Sequence, residues 1–288
     1  MPRRPTHCRL IVLLARRAHV GVILRRGPAT WTQIVKWNTR SDHFESGQWF
    51  HGRLYERRCD LSPSGDKLIY FVAKHHLQNV DPTYTRTWTA ICRPPYLAAL
   101  ALWPNMGTTY HGGGLFAGEN EVLLNAVHHR WSNPERGEAA EPHPRHKPPK
   151  PVRVSPMAFT SGDQLLAKRL VRDGWSLVTP GDVDRDTLPD FKGRFVREQK
   201  NRRLELVLGH QQMDYTLFEK VKGQWVERSF EGVTWADFDH DGRAVFAREG
   251  KLFAFPDARV GKLDVDLLLD LNDRKPTRLV APPSATRW

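Results

Sequence analysis

The sequence predicts an all-β fold assembled from a hairpin unit that is used several times. The first observation is a tight polar turn, with glycine where a left-handed conformation is tolerated, followed by an apolar, β-prone run. It occurs in full from Cys59 to Phe71 and from Ala236 to Phe246, and in degraded form from Gly113 to Asn125. The second observation is length, because 288 residues of 40% hydrophobic content can bury a substantial core. The repetition indicates a fold and does not define a reaction.

The predicted strands are short apolar or β-branched runs separated by turn residues. In the first half they are Arg9–Ala15, His19–Leu24, Gln33–Trp37, Phe44–Phe50, Lys67–Ala73 and Tyr96–Trp103. In the second half they are Leu165–Val171, Trp175–Val178, Leu204–Leu208, Tyr215–Val221 and Gln224–Phe230. The last two form the clearest predicted hairpin, because Lys222-Gly223 between them is a two-residue turn containing glycine.

One segment interrupts this pattern. From about residue 133 to residue 153 the chain is rich in proline and charge and nearly free of large apolar side chains. Such a composition buries too little apolar area to order itself. We therefore predict one domain over residues 1–288 that carries an exposed proline-rich insertion at about 133–153.

The two clear copies of the turn motif resemble a known repeat. Leu61-Ser62-Pro63-Ser64-Gly65-Asp66-Lys67-Leu68-Ile69-Tyr70 is similar to the repeat element of TolB-type and WD-like β-propellers, and so is the stretch from Asp237 to Phe246. The resemblance implies four-stranded blades around a central channel. Because the copies are irregularly spaced, it implies an irregular β-propeller of five or six blades. The family mostly implies a scaffold for other macromolecules.

Composition limits the cellular setting. The formal charge is +12, and residues 1–60 hold 12 Lys and Arg against 4 Asp and Glu. Three separated cysteines without a C-x-x-C pattern fit a reducing compartment. The apolar run that starts at Leu10 is interrupted at Arg16, too early for a signal peptide. We expect a cytoplasmic protein with no membrane association and no cofactor.

The basic first part suggests one candidate binding site. Arginines there alternate with tryptophans, a combination that can clamp phosphates and stack on bases. The predicted polyanion-binding residues are Arg25, Arg26, Arg53, Arg57 and Arg58. The competing interpretation is a solvated basic surface, with the tryptophans packed in the core.

A second candidate is a metal site at Asp237, Asp239 and Asp241. With Gly242 these residues match the first half of an EF-hand calcium loop. The twelfth position of that loop is Arg248, where a bidentate glutamate is required. The alternative is a hairpin turn whose aspartates accept hydrogen bonds from local backbone amides.

These observations leave three functional hypotheses. The first is a non-enzymatic protein-interaction scaffold, monomeric, whose rim or channel face binds an acidic protein. The second is a nucleic-acid or polyanion binder that uses the basic, Trp-rich first half. The third is a hydrolase or lyase with its site at the channel mouth, for which no catalytic residue is identified.

Overall fold

The computed structural model describes residues 7–27, 30–74, 86–105, 109–125, 141–157, 160–179, 192–209, 212–228, 230–255 and 265–288. Within them the chain forms 21 strands and one α-helix, so the predicted all-β class is confirmed. No helix among these residues is long and apolar enough to cross a membrane.

The strands form five sheets that follow one another along the chain. Sheet 1 contains β1 (Arg9–Leu14), β2 (Val20–Arg26), β3 (Trp31–Asn38) and β4 (His43–His51). Sheet 2 contains β5 (Arg53–Leu54), β6 (Asp60–Leu61), β7 (Leu68–Ala73), β8 (Thr87–Cys92) and β9 (Ala101–Pro104). Sheet 3 contains β10 (Gly114–Gly118), β11 (Glu121–Leu124) and β12 (Arg153–Pro156).

The second half of the chain supplies the other two sheets. Sheet 4 contains β13 (Ser176–Thr179), β14 (Gly193–Gln199), β15 (Arg202–Gly209), β16 (Gln212–Val221) and β17 (Gln224–Arg228). Sheet 5 contains β18 (Val233–Phe238), β19 (Ala244–Arg248), β20 (Lys251–Ala254) and β21 (Asp266–Asp270). All strand pairs are antiparallel except β11 with β12, which is parallel. The predicted hairpin at Lys222-Gly223 joins β16 and β17.

Apolar residues fill the spaces between successive sheets, which arranges the sheets as the blades of an irregular propeller. On β2 the side chains alternate: Val22 and Leu24 pack against sheet 2, whereas Ile23 packs in the core shared with sheet 5. On β7, Tyr70 faces sheet 1 while Ile69 packs with residues of sheet 3. Strands that are buried on both faces have continuous apolar sequences, as β2 and β7 do. Five blades lie within the described residues, inside the predicted range of five or six.

The ring closes between sheets 5 and 1 without exchange of a strand between the two ends of the described chain. Instead, Leu10 and Trp37 of sheet 1 share a core with Leu252 and with Leu271, which follows β21. Arg25 reinforces this contact, because its guanidinium is buried and its Nε donates to the Leu271 carbonyl over 3.1 Å. Apolar packing and one buried cation therefore close the seam.

Helix α1 (Gly162–Arg172) lies where sheets 3 and 4 would otherwise meet. The prediction of a strand at Leu165–Val171 is wrong. Ser161 caps the helix by accepting from the Gln164 amide, and the Gln164 side chain accepts from the Ser161 amide in return. Leu166 and Leu170 then pack into the core of sheets 4 and 5, so the apolar run is one helical face.

The predicted proline-rich insertion falls partly outside the described residues, which resume at residue 141. In the described part, His143 is buried, its amide donates to the Leu102 carbonyl, and the Leu102 amide donates to the His146 carbonyl. This part is attached to the edge of sheet 2 by backbone hydrogen bonds, which a low apolar content does not prevent.

Candidate functional site

The repeated turn motifs occupy equivalent places in the fold. Each links a short inner strand to the next strand of its sheet: β6 to β7, β10 to β11, and β18 to β19. Gly65 and Gly242 have φ of 78° and 81°, the left-handed conformation that glycine adopts without strain. In the copy from Ala236 to Phe246, Asp239 Oδ1 accepts from the amides of Asp241 and Arg243, as a polar turn requires. The predicted hairpin chemistry is confirmed.

These turns meet turns of the other two sheets at one end of the ring. We call this set the rim: residues 15–19, 39–42, 62–67, 118–121, 199–202 and 239–243. The Arg17 amide donates to the Pro63 carbonyl, and Lys200 Nζ lies 3.5 Å from the Asp241 carbonyl. The rings of His19 and His240 lie 5.0 Å apart. Sequence-distant turns therefore form one continuous surface.

A cavity of about 330 Å³ lies beneath the rim, among the inner strands and the end of α1. Charged side chains dominate its polar lining: Arg16, Asp60, Arg169, Arg172, Asp173, Arg197, Asp237 and Asp239. Apolar groups from β1 and β18, among them Val12 and Trp235, form the remaining wall. This volume is at the lower end of the range typical of small-molecule sites.

Two aspartates hold matching positions in the motif copies, and each is neutralised by an arginine. Asp60 is buried, and Arg172 donates to its two oxygens over 2.5 and 2.8 Å. Asp237, in the corresponding position of sheet 5, pairs with Arg197 of β14. Burial raises the pKa of Asp237, while Arg197 acts in the opposite direction.

Arg172 also contacts a second carboxylate at the end of α1. Its Nε lies 2.8 Å from Asp173 Oδ1. Burial raises the pKa of Asp173, and the hydrogen bond from Arg172 lowers it. One guanidinium, that of Arg172, therefore pairs with two carboxylates in the cavity wall.

Arg16 differs from these paired residues. Its Nη2 donates to the Phe116 carbonyl over 2.8 Å, and no carboxylate of the described chain pairs with it. Its Nε is buried and has no hydrogen-bond partner among the described residues. Burial lowers the pKa of Arg16, and the nearby Arg172 lowers it further. Arg16 thus brings to the cavity wall a positive charge that no described carboxylate pairs with.

Arg169 is a second cavity arginine without a carboxylate partner in the described residues. It is 8% exposed and donates to the Cys59 carbonyl. Four arginines and four aspartates therefore line the cavity, and of these arginines Arg16 and Arg169 have no carboxylate partner in the described residues.

The predicted metal residues do not converge on a common point. Asp237 faces Arg197 and the indole of Trp175, whereas Asp239 accepts from Arg243. Asp241 is exposed on the rim. No cluster of three potential metal ligands occurs in the described ranges. The observed arrangement is the alternative hairpin turn, with arginines added.

The predicted polyanion-binding arginines lie mostly in contacts within the protein. Arg25 is buried at the seam between sheets 5 and 1, and Arg26 lies 3.6 Å from Glu56. Arg57 pairs with Asp163 of α1. Arg58 donates to the His111 carbonyl, and burial lowers its pKa. Arg53 is exposed and stacks on a tyrosine ring.

The structure does not bring these five arginines together as an open cationic surface. Sequence reasoning counted their charge but had no means of locating their partners, which come from distant segments. The same reasoning overlooked Arg16, Asp60 and Arg172, which line the cavity. One signal was available for Asp60, because it occupies the same motif position as Asp237.

Comparison with known proteins adds structural neighbours only. No model of a protein family matches the chain, and no curated protein matches it. The solved structures include the Pyrococcus horikoshii acylaminoacyl peptidase, with 8% identity, a TM-score of 0.30, and coverage of 90% of this chain and 44% of that one. They also include the β-propeller domain of the Trilobed protease from Pyrococcus furiosus, with 10% identity, a TM-score of 0.30, and coverage of 91% and 84%.

The chain thus spans less than half the length of the acylaminoacyl peptidase chain. The second structure is described as a β-propeller domain, but at a TM-score of 0.30 neither similarity carries an argument about this chain. The more specific resemblance to TolB-type or WD-like repeats stays a prediction.

Proposed function

We propose that this protein is a non-enzymatic interaction scaffold that binds an acidic segment of a partner protein at the rim. The observation that carries the proposal is an imbalance on this surface between carboxylates that are paired within the protein and cations that point outward. Most carboxylates of the rim are engaged inside the protein, whereas several cations point outward.

The engaged carboxylates have clear partners. Arg243 donates to both oxygens of Asp42 over 2.8 and 2.9 Å and to Asp239 over 2.7 Å. Glu119 accepts from the Ser64 hydroxyl over 2.6 Å and lies 3.8 Å from Lys67 Nζ. These contacts join neighbouring turns and leave little negative charge for a partner to meet.

The cations that point outward have fewer partners within the described residues. The Arg17 side chain is exposed and pairs with no described carboxylate. Arg40 is exposed and contacts a histidine ring nitrogen over 2.9 Å. Against them stand two exposed carboxylates, Asp66 and Asp241, of which Asp241 lies 3.9 Å from His19. An acidic segment would complement this surface, and its binding would weaken with salt because the charges are exposed.

The test is affinity purification from native cytoplasm, with nuclease treatment and a salt series. A partner protein should survive nuclease treatment and should be lost from an Arg17→Glu/Arg40→Glu variant. The control is Lys275→Glu/Arg278→Glu, which makes the same charge change on the exposed chain that follows Leu271, beside Arg25 at the far end of β2 from the rim. Equal retention by both variants, or recovery of nucleic acid alone, would contradict the proposal.

A further inference from the structure

We infer that the cavity beneath the rim binds a small organic monocarboxylate, with Arg16 as the residue that holds its carboxylate group. The cavity shares Arg16, Asp239 and His240 with the rim turns, but Arg16 lines the cavity whereas Arg17 is exposed, so the two proposals depend on different side chains. The inference therefore goes beyond the proposed scaffold function. It rests on the donors, the charge and the size of the cavity.

The first step concerns hydrogen-bond donors. A guanidinium has five N–H groups in a planar fork, and Arg16 uses one to contact the Phe116 carbonyl. Its buried Nε–H has no acceptor within the described chain. A buried donor on a charged group is costly when it is left unpaired. Because the Nε is closed off from the cavity, an oxyanion that enters would instead pair with the terminal nitrogens of the guanidinium, which has no carboxylate partner in the described chain.

The second step concerns the ligand's charge. Asp60 and Asp237 are each already paired with an arginine, and Arg172 also holds Asp173. Arg16 and Arg169 lack such a partner in the described residues, so one ligand carboxylate would pair with Arg16 without breaking an existing ion pair. Four carboxylates line the same cavity and would repel a second negative charge. A monocarboxylate therefore fits this cavity better than a dianionic phosphate or dicarboxylate.

The third step concerns size and shape. A cavity of about 330 Å³ admits a small molecule and excludes a polymer segment. Val12 and Trp235 give it apolar lining in addition to the charged groups that α1 contributes. A carboxylate with a short apolar or aromatic body would use both parts, and a guanidinium matches the two carboxylate oxygens in a planar, bidentate arrangement.

The experiment measures binding of pentanoate and benzoate to the full-length protein by calorimetry, with inorganic phosphate and succinate as doubly charged comparisons. We expect one saturable site for a monocarboxylate and at least tenfold weaker binding by phosphate and succinate. Arg16→Gln should weaken carboxylate binding at least tenfold. Arg278→Gln, on the exposed chain that follows Leu271, should bind as the unmodified protein does.

A second measurement does not depend on the variant folding. In the unmodified protein, the Arg16 Nε–H resonance should shift when pentanoate or benzoate is added, because the guanidinium to which it belongs gains a carboxylate partner. Absence of saturable binding, unchanged affinity in a folded Arg16→Gln variant, an unmoved Nε–H resonance, or tighter binding of phosphate would each overturn the inference. Loss of the rim partner has no bearing on these readouts, so the two proposals fail independently.

Discussion

Replacing Arg172 by methionine tests whether the cavity wall is held by charge pairing. In the folded protein the Asp60 side chain is 3% exposed, and its other donor is the Phe116 amide, 2.7 Å away. Removal of Arg172 leaves a buried carboxylate with one hydrogen bond and no counter-charge. Breaking a buried pair in this way costs about 3–5 kcal/mol. At about 2–4 °C per kcal/mol, a loss of about 4 kcal/mol should lower the melting temperature by about 8–16 °C.

The double variant Asp60→Asn/Arg172→Met separates the loss of pairing from the loss of packing. Because an amide carries no charge, the double variant should be more stable than Arg172→Met by about 2 kcal/mol. Arg153→Met is the matched control, since its pair with Glu121 is exposed and should contribute less than about 1 kcal/mol. Thermal unfolding followed by circular dichroism measures these three variants and the single change Asp60→Asn. Equal losses from Arg172→Met and Arg153→Met, or a double variant as unstable as the sum of its single changes, would refute the reasoning.

Three further predictions concern the seam, a close contact and pH. Arg25→Met should lower the free energy of unfolding by about 2–4 kcal/mol, because several carbonyl groups lose a buried charged donor. The control Arg26→Met should change the free energy of unfolding by less than about 1 kcal/mol. Urea titration of both variants compares the two. Gly113→Ala should lower the free energy of unfolding by more than about 3 kcal/mol, since φ is 82° and a Cβ would lie 2.1 Å from a backbone oxygen. The control Gly209→Ala places a Cβ with no atom within 4 Å and should be tolerated. The melting temperatures of the two variants test this difference. Burial, with a smaller effect of a neighbouring histidine, lowers the pKa of His240, so the folded state binds fewer protons than the unfolded state near pH 6. Stability should therefore fall as pH drops below about 6.5, and His240→Asn should reduce the slope of stability between pH 5 and 7; an unchanged slope would contradict the assigned cause.

Local chemistry explains which parts of the fold were predictable. The motif turns were recognised because glycine at positive φ and side chains that accept backbone amides act over a few residues, as at Asp239 and Gly242. The helix was missed because Leu165 to Val171 is apolar and short. The Ser161 and Gln164 capping signal identifies it, and that signal precedes the apolar run.

The cavity was not predictable in the same way, because its contacts join distant segments. Arg172 lies 112 residues from Asp60, and Arg197 lies 40 residues from Asp237. From sequence alone, the aspartates are compatible with a metal and with a local turn, although Arg248 stands where a calcium loop requires a glutamate. The ion pair of Asp237 with Arg197 is visible only in the structure.

The origin of these arginines shows how the ring is assembled. The paired aspartates belong to the repeated motif in sheets 2 and 5, whereas Arg172 and Arg197 come from α1 and β14. The contacts of sheet 1 with sheets 2 and 5 include apolar cores, while α1 inserts charged side chains between its neighbours. Helix α1 and strand β14 therefore supply the arginines that neutralise Asp60, Asp173 and Asp237. Because Arg16 lies on the turn after β1 and is held at the Phe116 carbonyl, which also accepts from Arg172, a displacement of α1 would change the environment of Arg16 without any change in sheet 1.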